Sequence, residues 1–166
     1  MKKSLLAYAA ISALAIVSVA AGMQSFTRAA TPSPSTTFPS LRTIYIASGV
    51  YDDAGADNAG IATSVHCSNV SGQSAQVRVL ALDNFGNVLG ANTQTALHGG
   101  TLTFSTHATS FVEFPLSTGV VNQGVLNVES TQSAVFCSAM IVDAAFVHNA
   151  VALHMVRVNG HPGVIE

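Results

Sequence analysis

Beyond residue 40 the chain alternates apolar and polar residues with a period of two, in short runs broken by turn residues. Ile44, Ile46, Ser48 and Val50 share one phase. Ile61, Thr63, Val65 and Cys67 form another row, with Ala62, Ser64 and His66 opposite. Val77, Val79 and Ala81 alternate with Gln76, Arg78 and Leu80. The pattern returns at Leu102/Phe104, Val112/Phe114, Leu126/Val128, Val135–Ile141 and Val151–Met155. Such alternation is the mark of half-buried strands, and no stretch keeps a helical period for three turns. The breaks carry turn chemistry. Asp83-Asn84-Phe85-Gly86-Asn87 predicts a hairpin loop with Gly86 at positive φ. His98-Gly99-Gly100, Ser117-Thr118-Gly119, Asn159-Gly160 and Pro162-Gly163 break the chain in the same way. The expected fold is all-β, an antiparallel β-sandwich of about seven to eight strands with immunoglobulin-like architecture. The comparison is architectural only, because the chain has no tryptophan to pack in such a core.

The N-terminus carries a different message. Lys2 and Lys3 precede Leu5–Met23, a run without charge, and small residues follow at cleavage spacing. That order of basic, apolar and small predicts a helical secretory signal peptide over residues 1–29. The run is near the minimum for a membrane span, so an uncleaved anchor is the rival reading; the crowding of small residues at its end favours cleavage. No cysteine or Arg-Arg pair accompanies the segment, which removes the lipoprotein and twin-arginine routes. Residues 30–40 hold three of the five prolines and form a Pro/Ser/Thr-rich linker. Residues 41–166 are then one domain, exported to the periplasm or the medium.

Without the signal, the cations are Arg42, Arg78 and Arg157, against eight carboxylates, a net charge of −5 with histidines neutral. A nucleic-acid binder needs a basic stripe that this domain cannot build. Membrane association would come only from an uncleaved signal segment. Solubility rests on neutral hydroxyl and amide groups, and little charge opposes self-association.

Cys67 and Cys137 are the only cysteines. Export, an even count and their shared phase with core residues predict a disulfide between them. The expected bridge runs through the interior and ties two sheets together, as in many immunoglobulin-like domains.

Several segments resemble a group of small secreted bacterial β-domain proteins without characterised activity. They are Ala47-Ser48-Gly49-Val50-Tyr51-Asp52-Asp53, Asn58-Ala59-Gly60-Ile61-Ala62-Thr63, His66-Cys67-Ser68-Asn69, Cys137-Ser138-Ala139-Met140 and Ala152–Asn159. The resemblance covers residues 45–166. It implies export, bacterial origin and a single β-domain, and it carries no catalytic or binding residues.

Candidate chemistry is sparse. Asp52, Asp53 and Asp57 cluster in the segment YDDAGADNAG. Oxygen ligands in a glycine-containing loop can hold calcium, but the spacing is not that of an EF-hand, and acidic turn residues commonly just cap backbone N–H groups. The histidines, residues 66, 98, 107, 148, 154 and 161, lack any His-x-His or His-Glu-x-x-His pattern and read as scattered surface groups. No Gly-x-Ser-x-Gly elbow is present. Glu113 and Glu129 alternate with buried positions and look solvent-facing rather than paired in a cleft. The eight phenylalanines fit mostly core positions and only Tyr45 and Tyr51 remain, which argues against a sugar-stacking lectin. The sequence therefore predicts a non-catalytic binding or structural module with no required cofactor and an unidentified protein or glycan partner. A calcium-assisted glycan binder using the Asp52–Asn58 loop is the alternative.

Overall fold

The computed structural model describes residues 38–146 and 149–158. The predicted signal segment 1–29, the predicted linker up to residue 37, His148, His161 and the predicted turn residues Asn159–Gly163 lie outside it. Within the described residues the fold is all-β, with ten strands in two five-stranded sheets.

One sheet has the order β10-β1-β7-β3-β4, built from Met155–Arg157, Arg42–Asp52, Val121–Ser130, Ala75–Leu82 and Val88–Ala96. The other has the order β6-β5-β2-β8-β9, from Phe114–Pro115, Thr101–Ser105, Ile61–Asn69, Val135–Asp143 and Val151–Leu153. The pairing is antiparallel except where β6 joins β5 in parallel. The strand count exceeds the expected seven or eight for two reasons. The row Val151–Met155 is two strands, since the chain leaves one sheet at Leu153 and enters the other at Met155. Strand β4 is an edge strand rich in Asn, Thr and Gln, so it lacks the apolar row that marks its neighbours.

One apolar cluster draws on both sheets, with Val77, Val79, Leu126 and Val128 from the first and Val65, Phe104 and Val135 from the second. In β3 the predicted phase holds throughout: Ala75, Val77, Val79 and Ala81 are buried and the residues between them are half-buried. In β1 it fails. Tyr45 and Ala47 point inward while Ile46 is exposed, and then Val50 and Asp52 are buried. Register shifts against β7 lie between Thr43 and Tyr45, between Ser48 and Val50, and between Val50 and Asp52. A bulge adds a residue on one strand and reverses the faces beyond it. Gly49, at φ 83°, supplies the second irregularity. Without it the inward row of Tyr45 and Ala47 would continue to Tyr51; with it, Asp52 turns into the interior.

The disulfide joins Cys67 to Cys137. It does not tie the two sheets as expected. The two residues face each other on adjacent strands β2 and β8 of the same sheet, with Cα atoms 4.1 Å apart. That is the close approach of a non-hydrogen-bonded antiparallel pair. Cys67 is fully buried and Cys137 only partly so. Phase alone shows which face a cysteine takes and not which strand lies beside it. The bridge closes a separation of 70 residues, for which chain entropy gives a stabilisation of about 4 kcal/mol.

Three phenylalanines depart from the core assignment: Phe85, Phe136 and Phe146 are all more than half exposed.

Candidate functional site

The acidic segment connects β1 to β2 and folds tightly on itself. Asp52 Oδ1 accepts from the Ala54 N–H at 2.6 Å, and Asp53 Oδ1 accepts from the Gly55 N–H at 3.0 Å. These are Asx-type turns, in which a short carboxylate replaces a backbone acceptor. Within the segment Ala54 stands at φ 53° and Asn58 at φ 60°, conformations that side-chain-bearing residues adopt at a cost. Gly60, at φ 83°, packs so closely on Asp53 that a Cβ there would lie 2.4 Å from the carboxylate. The Ala59 N–H bonds to the Ala56 carbonyl, and the Asn58 N–H reaches across to the Ala108 carbonyl.

Strand β5 delivers the partner. The segment after it places His107 against the loop. His107 Nδ1 lies 2.8 Å from Asp52 Oδ2, and Nε2 lies 3.1 Å from the Ala59 carbonyl oxygen. Which nitrogen donates depends on the tautomer, and each faces an oxygen that accepts. Asp52 is wholly buried and His107 nearly so. His107 is thus no surface histidine. It clamps the connection between β1 and β2 from inside, and the Ser105 hydroxyl in turn bonds to the His107 carbonyl.

Beneath the clamp lies a run of buried hydroxyls. Thr63 Oγ1 accepts from the Tyr51 N–H at 3.0 Å and donates to the Tyr51 carbonyl at 2.8 Å, which links a strand of one sheet to a strand of the other. Thr106 Oγ1 accepts from the Thr63 N–H, and the Thr106 N–H returns a bond to the Thr63 carbonyl. The Thr118 N–H bonds to the Thr106 carbonyl. Every member has a partner, which is the condition for a buried polar network to rigidify a fold.

Of the three predicted acids, two meet here. Ligand atoms of Asp52, Asp53 and His107 all lie within 4.8 Å of one another. Asp57 is exposed and stands apart from that trio, on the rim of an open groove of ≈ 450 Å³ that also touches His107, Pro115 and Ser117. His107 carried no signal in the sequence. It lies 55 residues from Asp52, and no spacing rule links them.

Three other polar groups have partners elsewhere. His66 lies half-buried between Ser64 Oγ and Thr103 Oγ1, each at 3.2 Å, and burial pushes its ring below the usual histidine range. Glu129 Oε2 accepts from Arg78 Nε at 2.6 Å. Asp83 caps the predicted hairpin. It accepts from the Asn87 side chain and from the Phe85 and Asn87 N–H groups, and these bonds hold its carboxyl below the usual carboxylate range, the Asn87 side chain contributing most. Gly86 has the expected positive φ, at 86°.

No protein-family description, curated protein or solved structure matches the chain. The functional reading rests on the geometry.

Proposed function

We propose that the chain is an exported, non-catalytic module, an immunoglobulin-like β-sandwich that binds a partner or serves a structural role at the cell surface or in the periplasm. One observation carries the reading: the carboxylate–imidazole pair that could do chemistry, Asp52 with His107, is spent on holding a loop. A general base must reach its substrate, whereas both ring nitrogens of His107 and both oxygens of Asp52 face partners within the protein. The single apolar cluster fed by both sheets supports the sandwich, and the disulfide suits an oxidising compartment. The rigid frame leaves loops at both ends of the sheets free for recognition.

The test is a binding measurement on isolated cell envelopes with fluorescently labelled protein, paired with hydrolysis assays on ester and glycoside substrates. Saturable binding without turnover is expected. Turnover abolished by Asp52→Asn would replace this reading with an enzyme.

A second reading, the calcium-assisted glycan binder, draws on the convergence of Asp52, Asp53 and His107. It requires the ion to displace the hydrogen bonds that Asp52 already makes, and it takes no ligand from Asp57 without a movement of the loop.

A further inference from the structure

Two of the three arginines beyond the signal segment line one pocket. It lies where β1 begins, β7 turns into β8 and β10 ends, and its volume is ≈ 350 Å³. Arg42 stands opposite Ser130 in the β1–β7 pairing, and Arg157 opposite Tyr45 in the β1–β10 pairing. Arg157 is pre-set. Its guanidinium lies over the rings of Tyr45 and Phe136, 5.6 and 5.0 Å from their centroids, and donates through Nη2 to the Ser133 carbonyl at 2.7 Å. That uses one of five N–H groups. Arg42 is exposed. Among the described residues neither arginine has an ion-pair partner, whereas Arg78 is bonded to Glu129. Thr43, Gln132 and Ser133 add neutral polar groups to the wall.

We propose that this pocket binds the carboxylate of an acidic sugar, a uronate unit of a polysaccharide. The proposal rests on the reading of the domain as a binding module and names its ligand class. Guanidinium groups match planar carboxylates with paired N–H donors. Hydroxyl and amide side chains beside them suit a ligand that carries hydroxyls next to its charge. The volume falls at the lower end of small-ligand sites, which fits one sugar ring rather than an extended surface. The acid beside the pocket is Glu129, opposite Thr43, and it is bonded to Arg78 rather than to either pocket arginine. Asp52 sits at the far end of the same 11-residue strand as Arg42, about 33 Å away at ~3.3 Å per residue, and a charge that far off is screened beyond the ~8 Å Debye length of physiological salt.

The experiment titrates galacturonate, glucose and inorganic phosphate into the purified protein by calorimetry, then repeats the first titration with Arg42→Gln and Arg157→Lys. Galacturonate should bind saturably and glucose should not. Each variant should weaken binding about tenfold or more, the worth of a charge-assisted bond pair. Arg42→Gln alters an exposed side chain and leaves the fold intact, which circular dichroism verifies. Equal binding of glucose, binding of phosphate alone, unchanged affinity in Arg42→Gln, or no binding of galacturonate would each overturn the proposal. The module reading is judged separately. Envelope binding that survives in Arg42→Gln sinks the pocket alone, while wild-type protein that binds no envelope sinks the module.

Discussion

The two ends of β1 treat charge in opposite ways. At the Asp52 end, a carboxylate is drawn inside and fully engaged by Ala54 and His107. At the Arg42 end, two guanidinium groups border a pocket and meet no carboxylate among the described residues. Asp83 and Asp143 also lie toward the first end, because β3 runs toward the start of β7, ending with Leu82 opposite Val125, and Asp143 pairs with Ile61 at the start of β2. The acids there cap turns, since Asp83 and Asp143 both accept backbone N–H bonds from residues just beyond them. Charge with internal partners is architecture, and charge without them is available for recognition. The contrast can be broken by measuring what each end contributes to stability.

The largest effect is expected from Asp52→Ala. It orphans the buried donor His107 Nδ1 and takes the acceptor from the part-buried Ala54 N–H; an unmade buried bond costs about 1–3 kcal/mol, so urea unfolding should show a loss of about 2–3 kcal/mol. Arg42→Gln, at the other end, should stay within about 0.5 kcal/mol of wild type, as exposed substitutions do. Equal losses at the two ends would erase the distinction between structural and available charge.

Gly60→Ala sharpens the picture of the acidic end. The residue sits at φ 83°, and a Cβ would collide with the Asp53 carboxylate. The left-handed conformation alone costs an alanine about 1–2 kcal/mol, so the midpoint of denaturation should fall. Gly86→Ala has the same kind of φ but nothing within 4 Å of the new Cβ. It should lose less. The difference between the two glycines measures how tightly Asp53 is packed.

Much of this fold was legible in the sequence, and the reasons it stopped being legible are local. Alternation identified β3 and its inward face because that strand runs without interruption against β7. It missed the faces of β1 because a bulge leaves no mark in a period of two, although Gly49 stood at the position where one occurs. It offered no apolar row for β4, an edge strand that buries little. The cysteines were paired correctly and placed wrongly, since phase defines a face and says nothing about strand order. Two of the three groups of the acidic site, Asp52 and Asp53, could be read from the clustered acids. His107 could not, because the contact closes over 55 residues and depends on how two strands from different sheets meet. Nor could the pocket that Arg42 and Arg157 share, since it depends on the pairing of β10 with β1.

His66 lies between the two extremes, part-buried and neutral in its bonding to two hydroxyls. Burial lowers its proton affinity from the usual 6.5. As pH falls, the unfolded chain protonates this ring first, so the unfolded state binds more protons and stability declines. The contribution is complete above the unfolded value and is lost as pH falls through the lower, folded one. Unfolding measured between neutral and mildly acidic pH should show this slope, and His66→Gln should flatten it. Asp83 acts in a separate window. Its carboxyl is held below 3.8, so its contribution is present above that value and disappears only in stronger acid. A slope that His66→Gln leaves unchanged would move the mildly acidic titration to another group and leave His66 without a part in it.

The smallest effect is expected from calcium, and it bears most directly on the contrast between the ends. A ligand that binds only the folded state stabilises it by about 2.7 kcal/mol at a hundredfold excess over Kd, and a domain of this size converts each kcal/mol into several degrees of melting temperature. A calcium site at Asp52 and Asp53 would give such a shift at millimolar calcium. Calcium asks for six to eight oxygen ligands. Here both oxygens of Asp52 are already bonded, one oxygen of Asp53 caps Gly55, the third group of the trio is an imidazole, and Asp57 faces the groove. The melting temperature should therefore move by no more than about 1 °C. A shift of several degrees that disappears in Asp53→Asn would make the acidic end a binding end as well. Hydrogen bonds within a cluster would then fail as a sign that its charges are spent, and the separation between structural and available charge would no longer hold.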